Sequence, residues 1–108
     1  MKRGDVIIAA ERGAFTGKPR PYVVVQRGTT LAESVTVTAC PVTTGLIGGS
    51  AVRIPVDPDA ATGLSDPSEV QVDRITTLRK AGIKQVVGSI PADKLATIDV
   101  ALKRWLDI

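Results

Sequence analysis

The sequence contains no histidine and a single cysteine among its 108 residues. Without an imidazole, histidine acid–base catalysis and Ser-His-Asp triads are excluded, and most transition-metal sites lose their commonest ligand. Cys40 alone forms neither an internal disulfide nor a thiolate zinc site. We therefore expect a chemistry that depends on no histidine, no cysteine, no metal ion and no other cofactor.

Long apolar runs and aromatic side chains are also scarce. Aromatic residues make up 3% of the chain, so any hydrophobic core has to be aliphatic. No apolar run reaches the roughly 18 residues of a membrane-spanning helix, and residues 1–3 lead into Asp5 instead of a long apolar signal region. The lone cysteine suits a reducing compartment. These absences predict a cytoplasmic protein without membrane association.

The composition that remains is that of one basic globular domain. Hydrophobic residues make up 44% of the chain and charged residues 23%, and no linker-like stretch divides it. We expect a single domain over residues 1–108. The net charge of +3 favours an anionic partner, such as a nucleic acid or an acidic peptide.

Short apolar runs rich in valine, isoleucine and threonine, separated by turn residues, predict a mostly β domain. The predicted strands cover residues 5–10, 22–26, 34–39, 51–56, 69–73, 75–79 and 85–88. The continuous β-branched run of residues 22–26 predicts a central strand that is buried on both faces. Residues 11–20 are polar and contain glycine and proline, which predicts a mobile loop, and the glycine-rich residues 45–49 are interpreted as a hairpin turn. This pattern is typical of a small barrel or sandwich.

Helical periodicity occurs only near the C-terminus. One apolar stripe predicts an amphipathic helix and comprises Leu95, Ile98, Leu102, Trp105 and Leu106. Pro91 is expected in its first turn, and Asp93 complements the positive end of the helix dipole.

The residue types left for chemistry suit the binding of phosphate by charge-assisted hydrogen bonds. Arg20 lies between two prolines that stiffen the backbone before a buried strand. Thr43 and Thr44 follow the third strand, where hydroxyls can face a ligand. Taken separately, they also fit a solvated strand-edge charge and ordinary turn threonines. The acidic pairs at residues 57/59 and 66/69 are interpreted as solvated turn carboxylates.

Four motifs in a fixed order carry a resemblance to a known family. Residues 3–7 read Arg-Gly-Asp-Val-Ile, residues 18–25 read Lys-Pro-Arg-Pro-Tyr-Val-Val-Val, and residues 40–44 read Cys-Pro-Val-Thr-Thr. Residues 87–91 read Val-Gly-Ser-Ile-Pro and precede the predicted helix. Together these motifs resemble the MazF/PemK family of bacterial type II toxins along nearly the whole chain.

The resemblance implies an SH3-like or CcdB-like β-barrel of about seven strands with a C-terminal helix, usually a homodimer. It implies a toxin that cuts single-stranded RNA at short sequences, an mRNA interferase. Arg20 occupies the family's catalytic arginine position, Thr43 that of the hydroxyl which helps to hold the scissile phosphate, and Asp73 that of a carboxylate on the fifth strand. Further RNA contacts are assigned to Lys18, Thr44, Gln71, Arg74 and Thr76.

The last motif departs from the family pattern. Arg74 stands where glutamine is usual, and Thr76 stands where arginine is usual. Gln71 replaces a second catalytic arginine found in certain members. A mechanism in which that second arginine acts as the acid is therefore not expected here.

The implied mechanism is attack by the RNA 2′-hydroxyl, which leaves a 2′,3′-cyclic phosphate and a 5′-hydroxyl without a metal ion. In it Asp73 acts as base or orienter. The implied partner is an antitoxin whose acidic C-terminal segment covers the same groove and displaces or orders residues 11–19. DNA would be bound only through that complex. Two alternatives stay open: a gyrase poison like CcdB, suggested by Trp105, and a non-catalytic SH3-like binding module.

Overall fold

Seven antiparallel strands and a C-terminal helix make up the fold in a computed structural model that describes residues 1–10 and 18–108. The strands are β1 Asp5–Ala9, β2 Arg20–Val24, β3 Thr36–Thr43, β4 Arg53–Val56, β5 Ser68–Gln71, β6 Thr76–Arg79 and β7 Ile83–Ser89. The helices are the single turn α1, Gly28–Leu31, and the longer α2, Ala92–Leu106. Short 3-10 turns cover Val72–Arg74 and Lys80–Gly82.

Strand β3 is the centre of the sheet, whose order is β4-β5-β3-β2-β1-β7. One side of β3 pairs with β2. The other side is divided, because β6 pairs with its first half and β5 with its last two residues. Strands that are far apart in sequence therefore meet at the end of β3, where Thr43 lies.

Both faces of the central strands are buried, in two separate aliphatic clusters. Val23 contributes to the cluster that also contains Ile98 of α2, whereas its neighbour Val24 contributes to the cluster with Leu78 of β6. This alternation follows from the two-residue period of a strand. It confirms that β2 is a central strand buried on both faces.

Helix α2 packs on the first of these clusters through Ile98 and Ala101. Arg3 ties the helix to the sheet: its Nε donates to the Val25 carbonyl at 2.9 Å, and its Nη1 donates to Oδ2 of Asp99 at 3.4 Å. The N-cap residue is Pro91, so the proline lies just before the first turn and not inside it. Among the helices of residues 1–10 and 18–108, none combines the length and the apolar character that a membrane span requires.

Several predicted strand ends are wrong, and pairing explains each of them. Strand β2 begins two residues early, at Arg20, because it pairs with Ala9 of β1. Strand β3 continues past Pro41 to Thr43, since the proline lies between the segment paired with β6 and the segment paired with β5. Strand β5 ends at Gln71, and the chain then makes a 3-10 turn, so the strand predicted over residues 69–73 is too long.

Two other local predictions also fail. Residues 45–49 are not a hairpin turn, because β3 and β4 are not neighbours; both pair with β5, which lies between them. Helix α1 was not predicted, because a single turn is too short to show helical periodicity. The predicted mobile loop over residues 11–20 lies outside the described residues for its part 11–17.

Candidate active site

A groove of about 280 Å³ opens beside the ends of β2, β3 and β5. Its polar lining consists of Arg20, Thr43, Thr44, Ser65, Asp66 and Ser68. Three stretches of chain form its two walls. We call Arg20, Pro21, Val42 and Thr43 the strand wall, and Gly63, Leu64, Ser65 and Asp66 the connector wall.

The strand wall places Arg20 and Thr43 side by side. Tyr22 is the partner of Pro41 in the pairing of β2 with β3. Continuing this register by two residues puts Arg20 opposite Thr43, on the same face of the sheet. Directly opposite residues of antiparallel strands have Cβ atoms about 5 Å apart, so both side chains can reach one phosphate group.

The Thr43 hydroxyl is already oriented by the backbone that follows it. Its Oγ1 accepts a hydrogen bond from the Gly45 N–H at 3.0 Å. A hydroxyl has one donor and two acceptor sites, so this bond uses a lone pair and leaves the hydrogen available to donate. Thr43 can therefore donate a hydrogen bond into the groove while the backbone holds its oxygen in place.

The connector wall belongs to the irregular segment between β4 and β5, and a buried hydroxyl organises it. Thr62 is 1% exposed, and its Oγ1 accepts N–H groups of Asp59 and Leu64, each at 3.3 Å. Its own N–H donates to Oδ1 of Asp59 at 2.8 Å. These bonds replace the ladder that a strand would supply, and they shape the wall from inside.

Two glycines let the connector wall lie directly on the backbone of β7. Gly63 has a φ of +71°, and a Cβ added there would lie 2.4 Å from the Val87 carbonyl oxygen. A Cβ added at Gly88 would lie 2.3 Å from the carbonyl oxygen of Ala61, which also accepts the Ser89 N–H at 2.8 Å. Any side chain at these two positions would push the wall away from the sheet.

A buried carboxylate next to the groove was missed in the sequence. Glu69 is 4% exposed, and its two oxygens accept the N–H groups of Ile47 at 3.2 Å and Gly48 at 3.0 Å. The interpretation of this residue as a solvated turn carboxylate is therefore wrong. The local pattern gave no signal for it, because Glu69 alternates with Val70 and therefore falls on the face predicted to be polar. Asp66, by contrast, is exposed and lines the groove.

Asp73 lies outside the groove. It belongs to the 3-10 turn after β5, not to the fifth strand, and its Oδ1 accepts a hydrogen bond from Nε of Arg53 at 3.3 Å. The two side chains form a partly buried ion pair. Asp73 therefore has no part in the mechanism that we propose below.

The other predicted RNA contacts are distributed around the groove. Thr44 lines it, and Lys18 is exposed two residues before Arg20. Gln71 and Arg74 do not line the groove, nor does Thr76. Thr76 is the partner of Ala39, four residues from Thr43 along β3, which corresponds to about 13 Å.

Cys40 is a structural thiol. Its side chain is fully buried in the cluster beneath α2. Its pKa is raised to about 12, chiefly by burial and also by the nearby Asp73 charge, while Arg3 lowers it. The thiol stays protonated at neutral pH and is not a nucleophile.

The fold and the groove define a small, mostly β protein with a site suited to a phosphodiester. A family model described as the PemK-like, MazF-like toxin of type II toxin-antitoxin systems matches residues 2–106. A protein of Mycolicibacterium smegmatis named probable endoribonuclease MazF is 38% identical over 108 residues, which cover 100% of this chain and 98% of that protein. The chain belongs to the PemK/MazF toxin family.

Solved structures agree with this assignment. The Mycobacterium tuberculosis toxin MazF-mt6 superimposes with a TM-score of 0.82 and 27% identity, covering 96% of this chain and 97% of that chain. The MazE-MazF structure (Form-II) from Deinococcus radiodurans superimposes with a TM-score of 0.78 and 25% identity, covering 100% of this chain and 96% of that chain. The predicted fold class is confirmed, and the prediction of an endoribonuclease is confirmed at the level of the family.

Proposed function

We propose that this toxin cleaves single-stranded RNA at short sequences, without a metal ion, by attack of the 2′-hydroxyl on the adjacent phosphate. The observation that carries the proposal is the strand wall, where Arg20 and Thr43 line one groove at the adjacent ends of two paired strands. A guanidinium and a hydroxyl donor on one side of a phosphate suit the stabilisation of a phosphorane.

RNA supplies its own nucleophile, which limits what the protein has to do. The 2′-oxygen forms a bond to phosphorus, the bond from phosphorus to the 5′-oxygen breaks, and one proton passes from the first oxygen to the second through solvent. The products are a 2′,3′-cyclic phosphate and a 5′-hydroxyl. The guanidinium of Arg20 is a planar cation with several N–H donors, so it stabilises the charge on the non-bridging oxygens. Thr43 donates a second hydrogen bond to the same phosphate.

Chelation and a single missing hydroxyl test the mechanism. We expect cleavage to continue unchanged in EDTA, because the nucleophile and the charge-stabilising donors need no metal ion. An oligonucleotide with 2′-deoxyribose only at the cleaved position should survive, while the matched all-RNA strand is cut. End analysis should show the cyclic phosphate. Loss of activity in EDTA, or cleavage of the deoxy-substituted strand, would overturn the mechanism.

The partners that we propose are a second copy of the chain and an antitoxin with an acidic C-terminal segment. A groove lined by Arg20, with the exposed Lys18 two residues before it in the chain, attracts carboxylates as it attracts phosphates. Among proteins with the same fold, one is described as an endoribonuclease in complex with its cognate antitoxin from Mycobacterial species. We place the protein in the cytoplasm, with DNA bound only through the antitoxin complex. Titrating the isolated antitoxin segment should inhibit cleavage competitively; full binding with undiminished cleavage would separate the two sites.

One observation favours a second candidate, the gyrase poison. Trp105 is 51% exposed and Leu106 is 48% exposed, so the end of the predicted stripe is not core. The experiment is gyrase supercoiling in the presence of the toxin, with Trp105→Ala as the paired variant. Gyrase inhibition that depends on Trp105, without RNA cleavage, would favour the poison; a protein that does neither would be a binding module.

A further inference from the structure

We infer that Glu69 is a positioning residue for RNA cleavage, because its buried carboxylate holds the loop after β3 and thereby fixes the Thr43 hydroxyl. The inference rests on the proposed function, in which Thr43 donates to the scissile phosphate. Glu69 itself does not line the groove. Its action is therefore indirect, through the backbone of residues 44–49.

The environment of Glu69 requires an explanation, because a buried carboxylate is unfavourable unless its oxygens are hydrogen-bonded. The ion pairs within residues 1–10 and 18–108 join Arg3 to Asp99 and Arg53 to Asp73, so neither of them contains Glu69. Its partners are the two amides of Ile47 and Gly48, one for each oxygen. Both oxygens of the carboxylate thus accept hydrogen bonds from the loop.

The loop depends on few other restraints. Gly48 and Gly49 have φ values of +66° and +64°, so this part of the loop has a left-handed backbone conformation that only glycine adopts easily. The exposed side chains of Leu46 and Ile47 do not anchor it in the core. The two bonds to Glu69 consequently determine where this part of the backbone lies.

The same loop also contacts the Thr43 hydroxyl. Gly45 donates its N–H to Oγ1 of Thr43, two residues before the first amide held by Glu69. Thr43 and Glu69 are also partners in the pairing of β3 with β5. The start of the loop and its middle are therefore attached to adjacent points of the sheet. If the middle moves, the Gly45 N–H moves, and the hydroxyl loses its fixed orientation.

Only a carboxylate satisfies two converging donors. A glutamate offers acceptors on both oxygens, whereas a glutamine of the same shape offers one acceptor and one NH₂ group. In Glu69→Gln, that NH₂ would face a backbone N–H, and one of the two bonds would be lost. The substitution therefore tests the loop contact without opening a cavity.

A double-mutant cycle distinguishes positioning from general stability. Single-turnover cleavage rates are compared for the wild type, Glu69→Gln, Thr43→Val and the double variant. We expect Glu69→Gln to slow cleavage about tenfold, because small misplacements of a catalytic group reduce rates strongly. In the Thr43→Val background, Glu69→Gln should change the rate less than about twofold, since the two residues act as one unit.

Two further variants keep the test decisive. Asp57→Asn neutralises an exposed carboxylate and should leave the rate unchanged. Ile47→Pro removes one of the donors to Glu69 at an exposed loop position, and it should reproduce the Thr43-dependent slowing if Glu69→Gln does not fold. Equal slowing in both backgrounds would overturn the inference. A normal rate for Thr43→Val would instead overturn the role of Thr43 in the proposed function.

Discussion

The two walls of the groove are built by opposite means. The strand wall follows from sheet register, and the side chains next to it are buried in aliphatic clusters on both faces. The connector wall has no ladder; the Thr62 hydroxyl and the direct backbone contacts of Gly63 and Gly88 hold it. A substitution at the exposed end of a strand should therefore change chemistry with little change in stability. A substitution within the connector should change stability first.

The largest expected effect concerns the strand wall. Arg20→Ala should lower the cleavage rate about a hundredfold, the usual consequence of losing one donor to the transition state, in a protein that still folds. Thr43→Ala should be milder, because the guanidinium charge stays. Arg104→Ala removes an exposed arginine outside the groove and serves as the matched control. A folded Arg20→Ala protein that cuts RNA at the wild-type rate would contradict the assignment of Arg20 to the active site.

The connector wall should respond to a single methyl group. Gly63→Ala should lower the free energy of unfolding by about 3 kcal/mol, because a Cβ there meets the Val87 carbonyl and the φ is positive. Gly28→Ala is the control, since nothing lies within 4 Å of the added methyl group. Urea unfolding measures both variants. If the two variants were equally stable, the connector would accommodate the methyl group without cost. The conclusion that the connector wall is sensitive to substitution would then be wrong.

Alkaline titration tests the core behind the strand wall. The raised pKa of Cys40 means that the unfolded chain ionises first, from about 9.0, while the folded thiol stays neutral until about 12. The thiol's contribution to stability is thus complete below the lower value and is lost as the pH rises through this window. The free energy of unfolding should fall by up to about 1.4 kcal/mol per pH unit from this group alone. Cys40→Ala should show a shallower decline, and parallel curves would contradict the burial argument.

The smallest effect concerns the carboxylate on the connector wall. Asp66 lies in the groove that binds a polyanion, so Asp66→Asn should lower KM a few-fold at low salt and leave kcat nearly unchanged. This decrease in KM should disappear at high salt, where exposed charges are screened. A large fall in kcat, with a changed pH profile, would instead identify Asp66 as the general base.

Local pattern predicted the strands well where burial is two-sided, and poorly where pairing changes. The apolar run after Arg20 was correctly assigned to a central strand, because a continuous β-branched run indicates burial on both faces. The end of β3 was not predicted, since Pro41 normally interrupts a strand and only the change of partner there allows it. The predicted apolar stripe of α2 is buried at Ile98, but Trp105 at its far end is exposed.

The candidate site was predicted in part for the same reason. Arg20, Thr43 and Thr44 line one groove as the family motifs indicate. Asp73 does not, because β5 ends before it and Arg53 holds its carboxylate. Glu69 could not be assigned from its neighbours in sequence, since its two partners are amides of a loop that approaches only when β3 and β5 pair.

Sequence alone determined the chemical class of this protein: an aliphatic β domain with no histidine and one cysteine, left with arginine and hydroxyls for a phosphate. These properties depend on composition and on short-range alternation, which need no knowledge of distant contacts. The tertiary structure decided which of those groups share a groove, that Glu69 is buried, and that Asp73 lies elsewhere. The physical reason is that β-pairing joins residues far apart in the chain, so the neighbours of Thr43 are set by register and not by sequence.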